Sequence, residues 1–390
     1  MAFESRAVYL YSWATQMALT SFLPLTILAD DLTGACDTGA LFAGGGAVPV
    51  TVWPVPARRA AVAVVDTETR AQPAADAAAR VRTLVAAAPR ARYFKKIDST
   101  LRGRIGAEVA ALLDATGARS AIVCPALPSE GRAVVDRVLF VGGLPVAETA
   151  VADDPEFPAP RTSSVVDLLR PDVNRPLAWI PLDQVRAGAA SLSARMLRLT
   201  GTVVVADAER DEDLDALVQA ALPLATPPLL VGAAGLARAL AAALGLLRRD
   251  ADVPVGRRWL IVAGSAHPAT RAQIAAARAA GLTVLATADE PEPDRAAAAR
   301  LATRACAALA GGGYDVVVVT GGETAVALYR ALGAERIDLL GTPCPGLAFG
   351  QLRLGARTLA VVTKAGGFGL PDLFVTLAHA HGAQTLRSSA

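Results

Sequence analysis

Two adjacent carboxylates, Asp30 and Asp31, open the stretch DDLTGACDTG directly after the apolar run 25–29. At a strand tip such a pair has the chemistry to hold Mg2+ or to take a proton from a hydroxyl. A helix cap explains one of the two acids, not both. The next apolar run, 61–65, leads into DTETR with Asp66 and Arg70. A planar guanidinium there suits a carboxylate ligand; a solvated loop arginine is the alternative. The run 92–97 ends in KKIDSTLRG, which gathers Lys96, Asp98, Ser99 and Arg102. Of the 38 Lys+Arg in the chain only three are lysines, Lys95, Lys96 and Lys364. A compact ammonium surviving where arginine is otherwise used suggests a site too tight for a guanidinium. Lys95 and Lys96 are consecutive on a strand and point to opposite faces. After the run 120–124, PALPSEGR adds two stiffening prolines and the pair Gly131–Arg132. Cations and carboxylates collected at neighbouring strand tips suit a small, polyhydroxylated anion.

The carboxyl-terminal part has a different character. Its apolar runs 259–263, 315–319 and 358–362 lead into GSAHPAT, TGGETA and TKAGGFG. Backbone amides of glycine-rich turns and helix N-termini bind phosphate oxygens. One such turn also arises for steric reasons alone, but three in one region, one carrying Lys364, point to a nucleotide. The chain has no GxxxxGK[ST] and no GxGxxG after a strand, so neither a P-loop nor a standard dinucleotide site is expected.

These residues need strands to hold them level and helices to cover the strands. Further runs at 203–206 and 228–231 complete the predicted strands, and helices are expected over 74–88, 104–116, 211–222, 234–247, 268–280 and 294–310. Alternation of continuous apolar strands with helices predicts an α/β protein of two domains, each a mostly parallel sheet flanked by helices. Ligands then bind beyond the carboxyl ends of the strands, and the active site is expected in the interdomain cleft. The anticipated division is a disordered extension over 1–23, a domain for the small anion over 24–248, a charged linker over 249–258 and a nucleotide domain over 259–390. Met17 is a candidate initiator, since the stretch 7–29 is apolar but broken by polar residues and Pro24.

Composition narrows the field. A chain that is 53% hydrophobic and 19% charged is globular. A net charge of +2 with scattered arginines gives no nucleic-acid surface. No membrane span is expected. The four cysteines lack metal-ligand spacing, and the three histidines form no HExxH. A reducing, cytoplasmic setting is expected.

ILADDLTGACDTG, KKIDSTLRG, CPALPSEGR, GLPVAET, AGSAHPATRAQI, TGGETA and VVTKAGGFG occur in this order over residues 25 to 375. In these segments the chain resembles the four-carbon acid sugar kinase family, once known as a domain of unknown function. The resemblance implies ATP-dependent phosphorylation of the terminal hydroxyl of a 3-oxo-tetronate, threonate or erythronate, with ATP and Mg2+ as cofactors. It implies that the anion of the 24–248 domain is a sugar acid, with a substrate side lined by Asp30, Asp31, Arg70, Lys96, Asp98, Ser99 and Arg102, joined by Gly131 and Arg132. It implies a nucleotide side lined by Ser265, Gly321, Gly322, Glu323, Gly366, Gly367 and Gly369, with Lys364 near the phosphates. Catalysis is expected from Asp31 or Asp98 as the base and from Lys364; metal ligands are not assigned. Cys36 stands where the family often has Asn, and AVVDRVLFVGG is less polar than the usual stretch, so the acid itself is left open. A homodimer is also left open. Two rivals are an oxidoreductase on a similar acid and a sugar-acid binding protein without catalysis.

Overall fold

Apolar β-branched runs alternate with Ala-, Leu- and Arg-rich stretches, and strands alternate with helices accordingly. The computed structural model describes residues 24–152, 162–248, 256, 258–289 and 296–379. The anticipated extension over 1–23 lies outside the described residues, as does most of the anticipated linker. In chain order the strands are β1 (Leu25–Ala29), β2 (Val48–Val52), β3 (Val62–Asp66), β4 (Arg92–Lys96), β5 (Ala121–Cys124), β6 (Arg132–Val135), β7 (Val138–Val141), β8 (Leu144–Pro145) and β9 (Leu177–Ile180). They continue with β10 (Val203–Ala206), β11 (Leu229–Gly232), β12 (Trp259–Ala263), β13 (Thr283–Ala286), β14 (Val316–Thr320), β15 (Arg336–Gly341), β16 (Leu347–Leu354) and β17 (Arg357–Lys364). The fold is mixed α/β, its strands mostly parallel and flanked by helices.

Two units divide the chain. Among the described residues, one holds 24–30, Arg59–Val62 and Thr67–Leu246; the other holds Asp31–Arg58, Ala63–Asp66 and those from Leu247 to His379. In the first, the strand order is β1-β4-β11-β5-β10-β9, and every neighbouring pair is parallel. Each of β1, β5, β10 and β11 is buried at every residue, as a sheet covered on both faces requires. Ala29, Lys96, Gly232 and Cys124 lie level in the register, so four loops leave the sheet side by side. The antiparallel strands β6-β7-β8 form a separate small sheet. Its tight turn puts Asp136 and Arg137 at φ 49° and 70°. Their amides donate to Asp207 at 2.9 and 3.1 Å, and the Trp179 indole N–H adds a third bond at 3.0 Å.

In the second unit the order is β13-β12-β14-β17-β16-β15-β2-β3, with β3 counted from Ala63. The neighbours β13-β12-β14-β17 are parallel; the pairs β17–β16, β16–β15 and β15–β2 are antiparallel, and β2 is parallel to β3. Ala263, Thr320 and Lys364 lie level at the carboxyl ends of β12, β14 and β17. Below them Trp259, Ile261, Val318, Val362 and Phe374 pack into one apolar core, which fixes those three strand ends relative to each other.

Candidate functional site

In the first unit the loops after β1, β3 and β4 knit into one charged cluster. Arg70 grips Asp30 in a two-point contact, Nε to Oδ2 at 2.8 Å and a terminal nitrogen to Oδ1 at 2.9 Å, and stands 3.6 Å from Asp98. Arg102 grips Asp98 the same way, both bonds at 2.9 Å. Asp98 also accepts from the Thr100 amide and hydroxyl. Burial alone would raise the Asp98 carboxyl, but Arg102 and Arg70 hold it well below the usual carboxylate range. Burial likewise opposes ionisation of Asp30, and Arg70, Lys95 and Lys96 overcome it. The chain can turn here because residue 103 is glycine. Its φ is +99°, and a Cβ would stand 3.2 Å from Asp30 Oδ2. Lys96 donates to the Ile97 carbonyl at 2.9 Å, and Arg132 reaches Ser99 Oγ at 2.7 Å. The cluster carries more cations than carboxylates, which suits an anionic ligand.

In the second unit the three glycine turns converge on Ser265. A Cβ at Gly366 would run into Ser265 Oγ, and one at Gly321 would stand 3.1 Å from the Ser265 amide. His267 caps the helix Pro268–Ala279, its Nδ1 accepting from Ala269, and its ring lies against Gly367. Gly321, at φ +98°, is the cap of the helix Gly322–Ala331, and Glu323 is exposed in its first turn. Lys364 is fully buried. Its ammonium donates to the carbonyls of Ala365 (3.0 Å) and Gly366 (2.9 Å) and to the Thr270 hydroxyl (3.3 Å). In a trans peptide the carbonyl and the following N–H point apart. The lysine therefore turns the N–H groups of Gly366 and Gly367 away from itself. Among the described residues neither N–H has an acceptor within the protein.

Asp31 belongs to this second unit. It caps the helix Leu32–Ala40, accepting from the Gly34 amide at 3.1 Å and the Thr33 hydroxyl at 2.6 Å. A Cβ at Gly322 would stand 3.0 Å from its Oδ2. A carboxylate at these helix N-termini is favoured by their dipoles. The adjacent acids thus have separate duties: Asp31 caps, and Asp30 takes an arginine.

Of the anticipated substrate residues, Asp30, Arg70, Lys96, Asp98, Ser99, Arg102 and Arg132 come together. Gly131 does not join them; it closes the turn Pro128–Glu130 and faces Gly142. Of the anticipated nucleotide residues, Ser265, Gly321, Gly322, Gly366 and Gly367 come together. Gly369 packs against Gln273 and Leu373 instead, with the Gln273 amide donating to the carbonyls of Phe368, Gly369 and Leu370. Thr69, Glu108, Thr270 and His267 were not anticipated as site residues. Glu108 gave one signal: it is the fourth residue of a helix whose residues 105–113 are otherwise apolar and mostly buried. Among the described residues no group of three His, Cys, Asp or Glu side chains could hold a metal ion, and no helix is long and apolar enough to cross a membrane.

Comparison with known proteins gives these clusters a context. Residues 25–240 match a family model described as a sugar-binding N-terminal domain, and residues 307–374 match a nucleotide-binding C-terminal domain. A D-threonate kinase of Bordetella bronchiseptica is 36% identical over 91% of this chain and 96% of its own length. The chain belongs to the four-carbon acid sugar kinase family. Within that family, a 3-oxo-tetronate kinase of Burkholderia multivorans is 32% identical over 90% of this chain and 95% of its own length. Among solved structures, a Haemophilus influenzae protein of a domain-of-unknown-function family shares the fold at a TM-score of 0.71 and 20% identity, covering 91% of this chain and 99% of that one. A second, from Bordetella bronchiseptica, is a domain-swapped dimer with bound citrate. It has a TM-score of 0.51 and 34% identity, covering 91% of this chain and 97% of that one. As a member of the kinase family the chain is an ATP-dependent phosphotransferase with an alcohol acceptor.

Proposed function

We propose that the chain transfers the γ-phosphoryl group of ATP to the terminal hydroxyl of a four-carbon sugar acid of the threonate, erythronate or 3-oxo-tetronate type. The observation that carries this reading is the separation of two chemistries: a cation-rich cluster in one unit, and three phosphate-suited glycine turns meeting at Ser265 in the other. The acid carboxylate is held by the cluster of Arg70, Lys96, Ser99, Arg102 and Arg132. The triphosphate is held by the amides of Gly366, Gly367 and the Gly321–Gly322 turn. Transfer then requires the held hydroxyl to lie in line with the γ-phosphate, so positioning supplies most of the rate.

Asp31 serves as the base for the attacking hydroxyl. Asp98 is ill suited, because two guanidinium groups commit it to the ionised form. Asp31 stands instead beside Gly322, where the phosphates are proposed to sit. Lys364 acts from behind the loop, aiming its amides. Mg2+ fits as a passenger of the nucleotide: it would be held by phosphate oxygens with one carboxylate, and Glu323, exposed in the first turn after Gly321, would supply that carboxylate and leave Asp31 to take the proton. When bound it would offset phosphate charge. We assign the protein to the cytoplasm, in keeping with four cysteines that form no disulfide. A homodimer is proposed by analogy with the domain-swapped relative.

The test is acid-dependent ADP release over a panel of four-carbon sugar acids. At least one acid should support turnover, and Asp31→Asn should cut kcat by about a hundredfold or more. No acid-dependent release, or an Asp31→Asn enzyme of normal kcat, would refute the reading.

A further inference from the structure

Lys95 and Glu108 form an ion pair at 2.9 Å with side chains only 0% and 1% exposed. A buried pair of this kind adds little stability over an apolar pair of similar volume, so stability alone does not account for it. The pair is also the foot of a hydrogen-bonded path to the charged cluster. The same Glu108 Oε1 accepts from the Thr69 hydroxyl at 2.6 Å. Thr69 Oγ1 lies 2.6 Å from Thr67 Oγ1, and with the Thr69 proton given to Glu108 the single proton of Thr67 serves either Thr69 or the Ala29 carbonyl at 2.8 Å. The next residue is Arg70, whose backbone N–H, like that of Thr69, donates to the Asp30 carbonyl. The loop does not hold this shape unaided, because Glu68 sits at φ +48°, a region that side chains other than glycine disfavour.

We propose that Glu108, buttressed by Lys95, is a positioning residue: through Thr69 it fixes the loop that aims the Arg70 guanidinium at the bound acid. This rests on the reading that the cluster holds the sugar acid. It also explains the two neighbouring lysines. Lys96 stands among the substrate-side groups, while Lys95, on the other face of β4, supports the frame that carries Arg70.

Thr69→Val cuts the path and leaves the ion pair in place. One lost hydrogen bond to a charged acceptor is enough for about a tenfold effect. The KM for the acid should rise by about that factor, with kcat and the KM for ATP changed less than about twofold and Tm nearly constant. Thr69→Ser, which keeps the hydroxyl, should restore the acid KM. Glu108→Gln keeps an acceptor for Thr69 and should hold the acid KM within about threefold. An unchanged acid KM in Thr69→Val overturns the inference. So does an equal rise in both KM values accompanied by a fall in Tm, or a failure of Thr69→Ser to rescue. A Glu108→Gln enzyme as impaired as Thr69→Val would assign the effect to charge and overturn the hydrogen-bonded path. Absence of acid-dependent turnover in the wild type is a separate outcome, which removes the functional reading and this inference together.

Discussion

Lys364 gives the prediction with the clearest sign. Its ammonium is buried against two carbonyls and a hydroxyl, with no carboxylate among these partners. Burial lowers its pKa from 10.5 to about 8, against a smaller opposing pull from Cys344. That difference corresponds to ~3 kcal/mol. The unfolded chain keeps this proton up to pH 10.5, whereas the native protein releases it near pH 8. Unfolding between those values takes up a proton, so this group makes stability rise with pH across the window. The penalty is present in full below about pH 8 and is relieved by ~3 kcal/mol as pH climbs through the window. Urea denaturation from about pH 7 to about pH 10, wild type against Lys364→Met, isolates the term because other titrating groups cancel in the difference. Parallel curves would refute the burial argument. Triphosphate beside the loop favours the ammonium form, so ATP binding at about pH 8.5 should take up protons. Calorimetry in two buffers of different ionisation enthalpy measures that uptake. None is expected in Lys364→Met, and none in the wild type would mean that the triphosphate lies away from this lysine.

Two further predictions concern the charged cluster. Gly103→Ala forces a side chain into φ +99° within 3.2 Å of Asp30 Oδ2; a loss of ~1–3 kcal/mol is expected, and unchanged urea midpoints would contradict it. Asp98 has a carboxyl held well below its ordinary value by Arg102 and Arg70 despite burial. Its ionised form therefore stabilises the protein above about pH 4, and that contribution fades as pH falls. Denaturation of wild type and Asp98→Asn should accordingly converge in acid; a gap constant with pH would exclude the mechanism.

The sequence made the parallel strands legible and the antiparallel ones obscure. β1, β10 and β12 fall where the apolar runs predict them, because a strand covered on both faces is apolar at every position. β15 and β16 escaped notice because each has polar residues, as in RIDLLG and LAFGQLRL, and alternation over so short a length resembles a loop. β2 hides behind Pro49. In the site, local motifs announced which residues gather at each strand tip. Neither the pairing of Asp31 with the glycine turn at Gly322 nor the path from Glu108 to Thr69 was legible. Both join residues far apart in sequence, and an acid inside a helix reads as a solvated face until the strand opposite is known to carry a lysine.

All three lysines of this chain are buried, Lys95 and Lys364 at 0% exposure and Lys96 at 6%. The folded surface consequently offers no lysine amine to acylating reagents, amine-directed cross-linkers or lysine-modifying enzymes. Attachment chemistry aimed at lysine would select unfolded molecules. The same fact makes the chain its own reporter: an acyl group later found by mass spectrometry on Lys364 or Lys95, both at 0% exposure, would record that this particular strand had opened while the reagent was present.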